Sequence, residues 1–402
     1  MKKTIKDIEL KGKKVLVRVD FNVPLKEGVV KDDNRVKEAI PTIKYLVEKG
    51  AKVVLCSHLG KVDHKDPVKC EENKKKNDMK FVVSTLEKLL GQEIKYVDEV
   101  YGAKVDSTLK SLKNGEVMLL QNTRYEKGES KNDAELSKKM AKNIDVFVMD
   151  AFGSAHRAHS STYGVPELLN KEGKETAIGF LMEKEIESLT KCVEAKEHPY
   201  VAVLGGAKVS DKINVIEGLL NKADKIIIGG AMAYTFLKAK GVEVGKSLVE
   251  DEQISFAKKC LTKGKNKIIL PIDHIVSFDI ESDESIPTIN ENIPLTFYGF
   301  DIGPKTRAYY DSELANAKVV FWNGPMGVFE KEMYAEGTKK VCESIANLKK
   351  AFSVIGGGDS ASAAKQLGFK DKFSHVSTGG GASLEMIEND GVLPGIEIIQ
   401  DK

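Results

Sequence analysis

Along the whole chain, short runs of β-branched and aliphatic residues alternate with amphipathic stretches of helical length, and no other feature restricts the fold so much. In the first half the runs are Lys14–Val19, Lys52–Cys56, Glu116–Leu120 and Asp145–Met149. In the second they are Tyr200–Leu204, Lys225–Ile228, Lys318–Trp322, Phe352–Ile355 and His375–Ser377. Such a pattern predicts parallel strands joined by crossover helices, an α/β protein. A chain of 402 residues exceeds one ordinary core, so two domains are expected. Gly179–Lys196 reads as a helix, with Met182, Ile186, Leu189 and Val193 at helical spacing, and is the expected connection between them.

The residues after each run differ between the halves. The first-half runs are succeeded by Asp20-Phe21-Asn22, Ser57-His58-Leu59-Gly60, Asn122-Thr123-Arg124, and Asp150 through His156-Arg157. Ligands of open α/β sheets sit beyond the carboxyl ends of the strands, so these polar groups should converge on one crevice. Asp20 and Asn22 alone would suit a turn, but beside Arg18, Arg35, His58, Arg124 and Arg157 they suggest forked donors around carboxylate or phosphate. The second-half runs are succeeded by Gly205-Gly206-Ala207-Lys208, Gly229-Gly230, Asn323-Gly324-Pro325, Gly356-Gly357-Gly358-Asp359 and Gly379-Gly380-Gly381. Glycine lets backbone approach a ligand, and the free N–H groups of a following helix favour phosphate. An acidic metabolite on one half and a nucleotide on the other imply phosphoryl transfer, which needs positioning and charge neutralisation more than a nucleophile–histidine pair.

Charge supports this division. The 62 basic and 60 acidic residues leave +2 overall, which argues against a nucleic-acid partner held by bulk charge. Residues 1–180 carry 35 basic against 28 acidic residues, so an anion is drawn to the first half. The opening MKKTIKDIELKGKK lacks the apolar run of a signal peptide or membrane span, and five scattered cysteines without a CxxC pair suggest neither a disulfide framework nor a zinc site. A cytoplasmic protein without a membrane partner is expected.

Other patterns carry less. Gly241–Ser247 (GVEVGKS) is one residue short of a phosphate-loop motif and follows a helical stretch, Ala233–Lys240, where that motif needs a strand. Gly356-x-Gly358-x-x-Ala361 satisfies the loose dinucleotide fingerprint, but the next run ends in Ser377-Thr378-Gly379 where an acid should take the ribose hydroxyls. That weakens an NAD-dependent dehydrogenase, the first alternative. His58, His156 and His159 have arginine and lysine neighbours that repel a divalent cation, so anion contact is the better reading. The lysine-rich Lys61–Lys80 reads as a solvated surface loop.

Eight segments, RVDFNVP (Arg18–Pro24), SHLG (Ser57–Gly60), LLQNTRYEKGE (Leu119–Glu129), DAFGSAHRAHSSTYG (Asp150–Gly164), GGAKVSDKI (Gly205–Ile213), FWNGPMGVFE (Phe321–Glu330), GGGDSASA (Gly356–Ala363) and STGGGASLE (Ser377–Glu385), occur in the order of one family. The whole chain resembles the phosphoglycerate kinase family. The resemblance implies two doubly wound parallel-sheet domains facing across a cleft, with the C-terminal tail, Leu393-Pro394-Gly395-Ile396, returning to the first. It implies a phosphoglycerate-binding domain over 1–180 with 390–402 and a nucleotide-binding domain over 181–389. Substrate binding falls to Asp20, Phe21, Asn22, Arg35, His58, Leu59, Gly60, Lys61, Arg124 and Arg157. The nucleotide falls to Lys208, Gly299, Glu330, Gly356, Gly357, Gly358 and Asp359, with Asp359 also meeting Mg2+, and catalysis to Arg35, Lys208, Lys212 and Gly380. The family writes HLGR where this chain has Lys61, which replaces a forked donor by a point charge. The implied reaction is reversible, Mg2+-dependent transfer between 1,3-bisphosphoglycerate and ADP, giving 3-phosphoglycerate and ATP, by a monomer. The second alternative is an inactive metabolite-binding protein of the same fold.

Overall fold

Parallel strands covered by helices on both faces are largely apolar, and the central strands of this protein, such as Lys14–Val19, Lys52–Cys56 and Tyr200–Leu204, are. The computed structural model describes Met1–Lys402. In the first half, in chain order, the strands are β1 (Lys14–Val19), β2 (Lys52–Cys56), β3 (Ile94–Val97), β4 (Val117–Leu120), β5 (Val146–Asp150) and β6 (Glu175–Ile178). They form one parallel sheet in the order β3-β4-β2-β1-β5-β6. Val15, Val17, Val53, Leu55, Val117 and Val148 pack from it into a core shared with Val36, Ile43 and Leu46 of the helix Asn34–Glu48.

The second half repeats the plan. Strands β7 (Tyr200–Leu204), β8 (Lys225–Ile228), β9 (Ile268–Ile269), β10 (Val319–Asn323), β11 (Phe352–Ile355) and β12 (His375–Val376) form a parallel sheet in the order β9-β8-β7-β10-β11-β12. Its core includes Val201, Val203, Ile227, Val320 and Trp322. Each sheet has a switch point, between β1 and β5 in the first and between β7 and β10 in the second, where the strand order reverses direction and a crevice opens.

The chain divides into two units, Met1–Ile186 with Val392–Lys402, and Glu187–Gly391. The division falls inside the helix Phe180–Glu194, whose first turn belongs to the first unit: Leu181 and Met182 are buried there and their N–H groups donate to Asp150 Oδ1 at 3.1 and 3.3 Å. The C-terminal tail is built into the same unit. Gly395 N donates to Ala155 O at 2.8 Å, so the tail leans on the loop after β5 that carries Arg157.

Two segments differ from expectation. Lys61–Lys80, expected as a loop, contains the helix Pro67–Lys76. Only Cys70 of that helix is buried, which hid any apolar period; it is held by Asp66, accepting from Val68 N and Lys69 N at 3.0 and 3.2 Å, and by three lysines at its negative end. The second unit also adds a three-stranded antiparallel sheet, Ile286–Pro287 beside His274–Ser277 beside Tyr298–Ile302. No helix is long and apolar enough to cross a membrane.

Candidate active site

At the first switch point the residues after β1, β2 and β4 are tied into one line. Arg35 Nη1 donates to Asp20 Oδ1 and Oδ2 at 3.0 and 2.9 Å. Asp20 Oδ1 also accepts from Asn22 N at 3.1 Å, and Asn22 Oδ1 accepts from Gly60 N at 2.8 Å. The Gly60 carbonyl accepts from Arg124 Nη1 at 2.6 Å. Asn122 braces this line from behind, its amide bonded to both Leu59 N and Leu59 O at 3.1 and 2.7 Å. The structure therefore brings together Asp20, Asn22, Arg35, Gly60 and Arg124, although they leave three different strands.

The remaining expected residues fall into three groups. The side chains of Phe21 and Leu59 are buried, so each supports the crevice by packing; Phe21 N is held by Ser57 Oγ at 2.8 Å. Arg157 donates through Nε to His156 Nε2 at 3.1 Å. Lys61 is exposed, and only its carbonyl is held, by Asn77 Nδ2 at 2.9 Å. His64, which no sequence motif marks, receives a role from its geometry: its Nε2 meets the Arg124 carbonyl at 2.9 Å and its Nδ1 lies 3.8 Å from Cys70 Sγ.

Electrostatically this is a cationic, partly dry place. Burial, followed by Arg18, Arg124, Arg35 and His159, pushes His58 well below the usual histidine range. Burial and Arg157 lower His156 to about 4, and burial with Arg18, Arg124 and Arg157 lowers His159 to about 4. Burial, together with Arg157 and Arg18, also lowers Arg124. Three neutral imidazoles among arginines offer N–H donors to an anion without adding to the positive charge.

The second switch point is lined by backbone. Gly205 N donates to Asn323 O at 2.9 Å and Gly206 N to Pro325 O at 3.0 Å, so the two loops are clamped together. A Cβ on Gly230, whose φ is +66°, would stand 2.5 Å from Gly206 N, and only glycine fits. Gly324 N donates to Ser360 Oγ at 2.6 Å, and the Asn323 amide holds the Gly356 carbonyl in a short bond. A Cβ on Gly380 would lie 3.0 Å from Gly357 Cα, which places the start of the helix Gly380–Glu388 against the start of the helix Gly358–Gln366. Two helix N-termini and two glycine turns thus meet in one place.

Lys212 reaches this place. A Cβ on Gly206 would be 3.5 Å from its Nζ, and burial lowers its pKa while Asp211 and Asp359 oppose the change. Lys208 and Asp359 are exposed at the same edge. Gly299 and Glu330 form a second group: Gly299 N donates to Ser247 Oγ at 2.9 Å, and Val328 N, just before the exposed Glu330, donates to Phe300 O at 2.9 Å. No group of three or more His, Cys, Asp or Glu residues is arranged to hold a metal, so a cation here would rest on a lone carboxylate and its own ligand. Gly241, by contrast, ends the helix Met232–Lys240 with φ +92°, and GVEVGKS is a helix stop.

The family model for phosphoglycerate kinase matches residues 5–390. The chain belongs to the phosphoglycerate kinase family. It is similar to the phosphoglycerate kinases of Macrococcus caseolyticus, 54% identical, and Fusobacterium nucleatum, 52% identical, covering the full length of both chains in each case. Among solved structures it is similar to the phosphoglycerate kinase of Coxiella burnetii (37% identical, TM-score 0.86, 99% of this chain and 98% of the other). A second likeness is to that of Pyrococcus horikoshii (34%, 0.84, 98% of each). The phosphoglycerate kinase likeness spans both units, and the dehydrogenase alternative is not favoured: β12 is followed by Ser377, Thr378 and Gly379, without the acid such a site needs.

Proposed function

We propose that the chain catalyses the reversible transfer of a phosphoryl group between 1,3-bisphosphoglycerate and ADP, giving 3-phosphoglycerate and ATP. The observation that carries this reading is the line Arg35–Asp20–Asn22–Gly60–Arg124, set among neutral histidines at the first switch point. Such a site grips a small acid with two anionic groups, a carboxylate and a phosphate, and offers it no general base. None is required, because the acceptor carboxylate of 3-phosphoglycerate is ionised at neutral pH.

In this reading the first unit holds the acid. Asn22, His58, Arg124 and Arg157 donate to its phosphate and carboxylate, Asp20 aims Arg35, and Phe21, Leu59 and Gly60 shape the floor, with Lys61 at the rim. The second unit holds the nucleotide. Gly357 and Gly358 receive its phosphates on their N–H groups, Gly356, whose own N–H is bonded to Trp322 O at 2.8 Å, lets the backbone approach, Lys208 neutralises the phosphates, Gly299 forms a wall, and Glu330 takes the ribose. Lys212, Arg35 and the N–H groups from Gly380 stabilise the charge of the transferring group. Asp359 is the carboxylate suited to Mg2+ carried on the nucleotide, where the ion would neutralise phosphate charge. We assign the protein to the cytoplasm as a monomer; its five cysteines are all unpaired and buried, which suits a reducing compartment.

A coupled assay of ATP formation from 1,3-bisphosphoglycerate and Mg-ADP tests the reading. Turnover in the range of about 1–100 per second is expected for a kinase. Binding of both ligands without turnover would instead select the inactive metabolite-binding alternative.

A further inference from the structure

Behind the acid-holding crevice runs a buried chain of side chains that the proposed chemistry does not use. Arg18 on β1 and Glu129 in the turn Glu129–Lys131 are each 1% exposed. Two opposite charges this deep have to be paired through well-made bonds, and here a single hydroxyl stands between them. Arg18 Nε donates to Ser161 Oγ at 2.7 Å. The Ser161 hydroxyl makes a short bond to Glu129 Oε1, and Ser161 N donates to Oε2 at 3.0 Å. Ser161 lies in a π-helical turn, Ser160–Gly164, that closes on this pair.

Every direction in the chain is dictated by valence. A guanidinium only donates and an ionised carboxylate only accepts. The hydroxyl therefore accepts from Arg18 and gives its one hydrogen to Glu129. With Nε and Nη1 committed to Ser161 and to the Val19 carbonyl, at 2.7 and 2.5 Å, the fork is locked. Its remaining nitrogen, Nη2, then meets His58 Nδ1 at 3.0 Å. Since Arg18 cannot accept, His58 Nδ1 must, and the ring hydrogen of the neutral imidazole belongs on Nε2. The ring's hydrogen bond within the protein is the one at Nδ1, which leaves the Nε2 hydrogen for a ligand.

We propose that Glu129, acting through Ser161 and Arg18, is a positioning residue that fixes His58 as its Nε2–H tautomer, so that an uncharged histidine always meets the acidic substrate as a donor. A neutral imidazole of the other tautomer would turn a lone pair toward the anion. The inference rests on the reading that His58 faces 3-phosphoglycerate.

The test begins with the unmodified protein. Long-range proton–nitrogen NMR of the full chain, uniformly labelled with nitrogen-15, should show His58 with a pyridine-type Nδ1 and a pyrrole-type Nε2, with and without 3-phosphoglycerate. A pyrrole-type Nδ1 would overturn the proposal. In Ser161→Ala the lock is removed: His58 should become a mixture of tautomers and 3-phosphoglycerate should bind about tenfold more weakly, the loss of one hydrogen bond to a charged group. ADP affinity should be unchanged, and Ser161→Thr should restore both readouts. Unaltered tautomer and affinity in Ser161→Ala would refute the relay. If Ser161→Ala does not fold, the spectrum of the wild type still decides. If the wild type binds no 3-phosphoglycerate at all, the substrate reading fails while the tautomer assignment stands or falls by its own spectrum.

Discussion

Arg35→Ala separates two jobs that one side chain performs. Its Nη1 is held by both oxygens of Asp20, at 3.0 and 2.9 Å, while Nε and Nη2 have no protein partner. Three N–H hydrogens of the fork are thus free for a ligand. The fold loses little when the side chain is removed. Asp20, itself 6% exposed, keeps its bond from Asn22 N, and the Arg35 side chain is 36% exposed, so solvent screens its end of the pair. A loss of about 1 kcal/mol is expected, roughly 2–4 °C in melting temperature for a unit of this size. If the free part of the fork stabilises the transferring phosphoryl group, its removal raises the barrier by about 2.7–4 kcal/mol, or roughly 10²–10³ in kcat. Initial rates of ATP formation at saturating substrates, measured well below the melting temperature, read that number directly. Arg35→Lys sharpens the contrast. An ammonium can reach Asp20 and recover the stability, but it presents no fork, so turnover should stay at least about tenfold down. A rise in KM with kcat intact would refute the reasoning, because it would mean that Arg35 binds ground state and transition state alike. So would full recovery of turnover in Arg35→Lys.

Three further outcomes are expected. Lys212→Ala should lower kcat by roughly 10²–10³ while leaving 3-phosphoglycerate affinity unchanged by calorimetry, and near wild-type turnover would remove Lys212 from the transfer step. Lys61→Arg should tighten 3-phosphoglycerate several-fold if the side chain reaches its phosphate; equal affinity in Lys61→Arg and Lys61→Ala would show that the exposed side chain points into solvent. His274, buried with Nε2 facing the Glu291 carbonyl at 3.1 Å, is lowered by burial to about 4. Its unfolded value is about 6.5, so the unfolded chain binds the extra proton between these limits. Its contribution to stability is therefore complete above pH 6.5 and lost as pH falls toward 4, by about 3 kcal/mol in total. Urea unfolding of wild type and His274→Gln at pH 7 and pH 4.5 should show the stability difference moving in favour of the variant on acidification, and a difference independent of pH would contradict it.

Much of the fold could be read from the amino acids because parallel strands buried on both faces admit few polar residues. Lys14–Val19, Lys52–Cys56, Tyr200–Leu204, Lys225–Ile228 and Phe352–Ile355 stand in the structure with the bounds expected for them. Three of the four edge strands were not legible, since Ile94–Val97 and Glu175–Ile178 mix polar with apolar residues and Ile268–Ile269 is two residues long, whereas the fourth, His375–Val376, falls within the expected run His375–Ser377. The helix Pro67–Lys76 escaped for the opposite reason, since a helix that buries only Cys70 has no apolar stripe to show.

The candidate site divides in the same way. That Asp20, His58, Arg124 and Gly356–Gly358 stand just after strand ends follows from local order along the chain, because in an α/β sheet the residues after each strand are delivered to one edge. Which of them touch is a different matter. Arg18 and Ser161 are 143 residues apart, and Arg18 and His58 are 40 apart. Nothing in their spacing shows that one hydroxyl separates a buried guanidinium from a buried carboxylate, or that His58 carries its hydrogen on Nε2. Residue type supplies the donors and acceptors, but hydrogen-bond direction and burial depend on distances below about 3 Å, and only the packed chain sets these.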